Sequence, residues 1–178
     1  MKIKAYQTLE DRTCADDIEA CGPFICNHKH AWLDEGYYFW DTNIQWAHEW
    51  GRIAYEKFDK DYTIAETQLD LGNKCFDLVG SVADKMTMIE VFEVFEKSGK
   101  IKNKNEKTLA NAIRFMKKKN IFDYFSIRSF DRKGGIKIHY RYDKDEIGKE
   151  FVILDDRVQV CVINKKEVIL QPLKVIYP

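Results

Sequence analysis

The residues best suited to chemistry lie between Trp32 and Trp50. The run Trp32-Leu33-Asp34-Glu35-Gly36-Tyr37-Tyr38-Phe39-Trp40-Asp41 is followed by Ala47 and Trp50. A glycine ahead of an aromatic strand lets a backbone or a ligand approach closely. Alternation along a strand puts Tyr38 and Trp40 on one face and Tyr37 and Phe39 on the other. An aromatic face of this kind is a platform for a flat, cationic ring. The same residues would equally make an ordinary core strand with a buried aromatic cluster.

Other groups with chemical capacity are spread along the chain. Near the start, Ala5-Tyr6-Gln7-Thr8 offers two hydroxyls and an amide, all able to hydrogen-bond a hydroxyl. Towards the end, Glu150, Asp155 and Asp156 supply carboxylates and Gln159 an amide. Cys21, Cys26, His28 and His30 are zinc-compatible ligand types, but their spacing matches no standard finger, and no metal site is expected. There is neither a dinucleotide-binding Gly-x-Gly-x-x-Gly fingerprint nor a Gly-rich phosphate loop.

These groups need elements to carry them. Lys2 to Thr8 reads as a first strand and Asp11 to Ala20 as a short helix ending at Gly22-Pro23. Tyr37 to Trp40 is a strand. Thr42 and Gln45 have the spacing of a capping box for a helix with an apolar stripe of Trp46, Trp50, Ile53 and Ala54. Tyr62 to Leu71 is a strand. Ser81 or Asp84 caps a helix whose inward stripe is predicted as Met86, Ile89, Phe92 and Phe95. Leu109, Ala112, Ile113 and Met116 form another helical stripe. The last third is mainly β, with strands predicted over Tyr124 to Phe130, Ile136 to Tyr142, Phe151 to Leu154, Val158 to Ile163 and Leu173 to Ile176. The class is α+β, with helices inserted into a mainly antiparallel sheet.

The 178 residues, 45% hydrophobic and 33% charged, suit a single folded domain spanning 1–178. No apolar run is long enough to cross a bilayer, and the basic start lacks the apolar stretch of a secretory signal, so a soluble, cytoplasmic protein is expected. Five cysteines without such a signal read as reduced thiols. Basic and acidic residues balance at 29 each, but Lys97 to Lys119 holds nine basic residues against Glu106 alone. That segment is either a solvated linker and helix face or a contact surface for a nucleic-acid target.

The order Gly36-Tyr37-Tyr38-Phe39, then Ala47 on a helix, resembles the second motif of the ADP-ribosyltransferase superfamily, in the branch of diphtheria toxin and the poly(ADP-ribose) polymerases. The fuller string is similar to small bacterial members with the pattern W-L-G-x-G-[I/V]-Y-F-W-E, followed by A-x-x-W. Asp34 stands where those have glycine, and Tyr37 where they have an aliphatic residue. Leu69 to Leu78 resembles the family's D-L-G-x-C-x-D-L segment with one residue inserted. Ile127-Arg128 resembles its V-R strand, and Val158 to Asn164 its I-Q-I-C-V-R-N strand.

The resemblance implies a split, mainly antiparallel β core with NAD, as a substrate, in the cleft. Tyr38 would stack near nicotinamide, and Gly36 and Phe39 would shape the pocket. The family's Y-H-G-T strand aligns with Ala5 to Thr8, so that Tyr6 or Gln7 takes the histidine position and, with Thr8, holds ribose. The family's catalytic glutamate aligns with Gln159, or in a competing register with Glu150. The reaction implied is mono-ADP-ribosylation of a macromolecular acceptor, protein or nucleic acid, by a bacterial toxin, effector or phage-defence protein with a cognate antitoxin partner. NAD hydrolysis, RNA 2′-phosphotransfer and an inactive NAD-binding or interaction module are the alternatives on the same fold.

Overall fold

A computed structural model describes residues 1–11, 14–28, 31–99, 104–131, 137–139, 151–153 and 156–178. The strands are β1 (Lys2–Glu10), β2 (Tyr37–Asp41), β3 (Tyr62–Asp70), β4 (Cys75–Asp77), β5 (Ser126–Phe130), β6 (Lys137–His139), β7 (Phe151–Ile153), β8 (Val158–Val162) and β9 (Lys174–Tyr177). The helices are α1 (Ala15–Cys21), α2 (Ile44–Ala54), α3 (Val82–Lys97), α4 (Leu109–Lys118) and α5 (Lys165–Val168). The α+β class is as expected. No helix among the described residues is long and apolar enough to cross a membrane.

The expected split, mainly antiparallel core is corrected. Seven strands form one continuous mixed sheet in the order β4-β5-β8-β2-β1-β3-β9, and β6 and β7 pair separately. β4 runs parallel to β5 because α3 and α4 lie between them in sequence. Two helices carry the chain back to the starting end of the sheet, so β5 enters in the same direction as β4. The sheet is narrowest between β1 and β2, which share only the pairs Ala5↔Asp41 and Tyr6↔Trp40, whereas β1 and β3 pair along their whole lengths.

Both faces are covered. On one, Ala5, Phe39, Ala65, Leu69, Val160 and Val162 pack with Ile18 of α1 and Val168 of α5. The other face carries two clusters. Tyr6, Trp40, Tyr62 and Ile64 pack under Trp46 and Ala47 of α2. Phe76, Ile127 and Cys161 pack under Met88, Val91 and Phe95 of α3 and Ala112, Ile113 and Met116 of α4.

Three helix details differ from expectation. Asn43, not Thr42, caps α2, accepting the Gln45 N–H at 2.9 Å, while the Thr42 hydroxyl turns back to Asp41 at 2.7 Å. The buried face of α2 is Trp46, Ala47 and Gly51, and Trp50 and Ile53 are exposed. The helix turns this way because Gly51 sits against the Tyr62 ring, where an added Cβ would collide with it, so α2 is close enough to β3 to exclude any larger residue there. On α3, Met88, Val91 and Phe95 face inward, leaving Met86 and Ile89 exposed. That helix is apolar on both sides, so periodicity alone could not choose its inner face. Ser81 caps it, accepting the Asp84 N–H at 3.1 Å. The stripe expected on α4 is the buried one.

Candidate functional site

The strand registers align Glu66, Tyr6, Trp40, Gln159 and Ser129 in one row across β3, β1, β2, β8 and β5. Tyr38 opens the next row on the same face, opposite Cys161, Ile127 and Phe76. Three of the candidates, Tyr6, Tyr38 and Gln159, therefore share one face of three neighbouring strands, Tyr6 and Gln159 about 10 Å apart at two strand spacings. Gln7 and Phe39 alternate to the other face. Of Tyr6 and Gln7, Tyr6 is the one on the face of Tyr38 and Gln159. Glu150 and Asp155 lie outside the described residues. Asp156 is exposed, and its carbonyl accepts the Trp46 indole N–H at 3.1 Å.

Each candidate has a definite local environment. Gln159 is 8% exposed, and its Oε1 accepts the Trp32 indole N–H at 2.7 Å. Indole is a donor only, so this contact fixes the amide's orientation and leaves the Nε2 donors pointing away from Trp32. The Tyr38 hydroxyl accepts the Leu33 N–H at 2.8 Å and donates to the Asp34 carbonyl at 2.7 Å, bracing the turn that precedes its own strand. Burial drives its pKa far above the phenol range, so it stays a neutral donor. Burial also raises the pKa of Tyr6. The Thr8 hydroxyl donates to the Ala47 carbonyl at 2.9 Å and ties β1 to α2. A Cβ on Gly36 would collide with Cys161 Sγ and meet the Val162 carbonyl at 2.8 Å, so glycine is required by the approach of β2 to β8.

Gln7 holds a loop. Its Nε2 donates to the Phe24 carbonyl at 2.8 Å and its Oε1 accepts the Phe24 N–H at 3.0 Å. Beyond Phe24, Cys26 pairs with Gly36. The segment between α1 and β2 is thus fastened to β1 by Gln7 and to β2 by Gly36, on the side where those two strands stop pairing.

Two charged residues are central here, and their roles were not visible in the sequence. Arg157, 3% exposed, sits 4.9 Å from the Trp40 ring and 5.2 Å from the Trp46 ring, and bonds Glu49 at 2.8 Å and Asp131 at 3.1 Å. The flat cation on this part of the aromatic face is the protein's own guanidinium. Its acids come from α2 and the end of β5, distances of sequence at which no spacing rule operates. Asp34 has φ 74°, a left-handed conformation that favours glycine. Its carboxylate accepts from Arg114 Nε at 2.6 Å and Lys117 Nζ at 2.8 Å. Burial opposes the charged form, but Lys117 and Arg114 outweigh it and hold the carboxyl below its usual pKa.

That ion pairing changes the basic segment. Arg114 and Lys117 anchor the Trp32 to Gly36 turn, and Lys107 bonds Glu96 at 2.8 Å, while Lys118 and Lys119 are exposed. Among the described residues no three His, Cys, Asp or Glu side chains gather as a metal site, and His30 lies outside them. A cavity of about 430 Å³ lies away from the row, between the end of β1, α1 and the loop at Phe24. No protein-family model, curated protein or solved structure matches this chain.

Proposed function

We propose that the chain is an NAD-dependent mono-ADP-ribosyltransferase acting on a macromolecular acceptor. The observation that carries this reading is the common face of Tyr6, Tyr38 and Gln159 on β1, β2 and β8, the three strands on which the resemblance needs its functional residues. A second observation supports it. Asp34 occupies the position where the resembled bacterial pattern has glycine, and its backbone is left-handed.

In this reading Tyr6 and the Gln159 amide hold ribose hydroxyls, and the nicotinamide ring lies towards Tyr38. The bond from the ribose carbon to the nicotinamide nitrogen breaks, and its electron pair leaves with nicotinamide. A nucleophile on the acceptor forms the new bond and loses a proton. Gln159 contributes hydrogen bonds but no negative charge, so the positive charge developing on ribose gains little from it and turnover is slow.

Three observations favour a second reading, an NAD-binding or protein-interaction module without turnover. Gln159 is neutral, its Oε1 is held by Trp32, and the adjacent Trp40 ring is already occupied by Arg157. Labelled NAD incubated with cell lysate separates the readings. Labelled protein or nucleic acid supports transfer, and free ADP-ribose alone supports hydrolysis. NAD bound but unconsumed supports an NAD-binding module, and no binding removes transfer, hydrolysis and NAD binding together, leaving only the protein-interaction module. If transfer occurs, Gln159→Glu raises it by roughly tenfold or more through the added charge. Unchanged transfer in that variant would place the reacting bond elsewhere.

A further inference from the structure

The cavity of about 430 Å³ is built by Leu9 and Glu10 of β1, Asp17, Ile18 and Cys21 of α1, Phe24, and Tyr55 at the end of α2. Its size is that of a small-molecule site. Ile18, 2% exposed, and the half-buried Leu9 give it an apolar floor. Phe24 and Tyr55 supply aromatic walls.

The Phe24 wall is held in an unusual way. Its side chain is 40% exposed, a costly state for a large apolar group, yet its backbone is pinned through both N–H and C=O by the buried amide of Gln7. A buried polar side chain from the sheet fixes an exposed aromatic at the edge of a cavity. The contact that fastens this segment to β1 thereby also fixes Phe24 at the cavity edge.

The charged residues in the described lining are two acids, Glu10 and Asp17. Glu10 pairs with Lys60 at 3.0 Å. Asp17 makes no ion pair among the described residues, and its carboxylate accepts from the Cys14 thiol at 3.2 Å. A carboxylate beside aromatic and aliphatic walls attracts an organic cation and repels a phosphate or carboxylate ligand.

We infer that this cavity is a binding site for a small organic cation with an apolar or aromatic body, such as an arylalkylamine, its ammonium at Asp17 and its body against Leu9, Ile18 and Phe24. Gln7 is the positioning residue of this site, through the Phe24 backbone. The inference is independent of the NAD reading.

Cys21 lines the cavity and its thiol is exposed, so it reports occupancy. The alkylation rate of Cys21 in the full chain is followed by mass spectrometry, with glutathione in the same tube as reference. The probe is phenethylammonium; 3-phenylpropanol and 3-phenylpropanoate are the neutral and anionic comparisons. The cation is expected to slow Cys21 alkylation at least about threefold at saturation and to leave glutathione unaffected. Asp17→Asn, at an exposed position, weakens the probe about two- to fivefold, and Phe24→Ala removes the protection. Unprotected Cys21, equal protection by the anion, or undiminished protection in Phe24→Ala overturns the proposal.

Discussion

Replacing Asp34 with alanine removes two charge-assisted hydrogen bonds and places a Cβ-bearing residue without local hydrogen bonding at φ 74°. The two effects have separable magnitudes. Bonds to charged partners contribute about 1.5–3 kcal/mol each in buried settings, but the Arg114 and Lys117 side chains are 42% and 32% exposed, so both cations can rehydrate. We take about 2 kcal/mol for the pair together. The left-handed conformation costs about 1 kcal/mol in alanine and close to nothing in glycine. Asp34→Ala is therefore expected to lose about 3 kcal/mol, a fall of roughly 6–12 °C in melting temperature for a chain of this size. Asp34→Gly should lose about 1–2 kcal/mol, because backbone relief offsets part of the lost pairing. Asp34→Asn keeps a side chain that tolerates the conformation and isolates the charge.

The assay is urea denaturation of the four proteins across pH. The sign follows from the direction of the shift. The Asp34 carboxyl titrates lower in the folded chain than its unfolded value near 4. Its contribution is thus complete above that unfolded value and disappears as pH falls through the folded one. The gap between the natural protein and Asp34→Asn should close on acidification. If Asp34→Gly is as unstable as Asp34→Ala, the conformational argument fails. If the Asn variant's deficit is the same at neutral and acid pH, the ion-pair argument fails.

Other consequences follow from the same geometry. Gly36→Ala forces a Cβ against Cys161 Sγ and the Val162 carbonyl and should cost about 1–3 kcal/mol or more in a thermal melt; a neutral result would mean that β2 and β8 are not so close. Arg157→Ala takes a buried guanidinium away from Glu49, Asp131 and two tryptophan rings; with Glu49 37% exposed and able to rehydrate, it should cost about 2–4 kcal/mol, with a change in Trp40 and Trp46 fluorescence. Arg157→Lys should recover only part of it, because an ammonium cannot make the planar fork, and full recovery would refute that explanation. Burial pushes the Cys161 thiol up to about 12 and the Cys75 thiol up to about 11. Alkylation near neutral pH should therefore modify exposed Cys14 and Cys21 quickly and reach Cys75 and Cys161 only as fast as the fold opens, which peptide mapping by mass spectrometry measures.

Much of the fold was legible because it depends on local pattern. The strand at Tyr37 to Trp40 has the alternation and flanking glycine that a strand needs, and α4 has one clean apolar stripe, so neighbours in sequence were enough. The inner faces of α2 and α3 were misjudged for the complementary reason. Both helices have apolar residues on more than one side, and the choice was made by Tyr62 against Gly51 and by the sheet under Met88 and Val91. The mixed sheet was likewise invisible: strand direction depends on where two intervening helices deliver the chain, which no residue spacing encodes.

The aromatic run from Trp32 to Trp50 shows the same division. Sequence by itself determined that Tyr38 and Trp40 share a face and that a glycine precedes them, since period-two alternation and the missing Cβ are properties of the chain. Only the tertiary structure decided what occupies that face. Long-range strand register aligned Tyr6 and Gln159 with Trp40, and folding brought Arg157 onto its ring and Trp32 onto the Gln159 amide. It also gave Asp34 its two cations from α4. Residues more than a hundred positions apart can be brought into contact only by the packed sheet, because hydrogen-bond register and side-chain packing act across space, whereas periodicity and capping act along the chain.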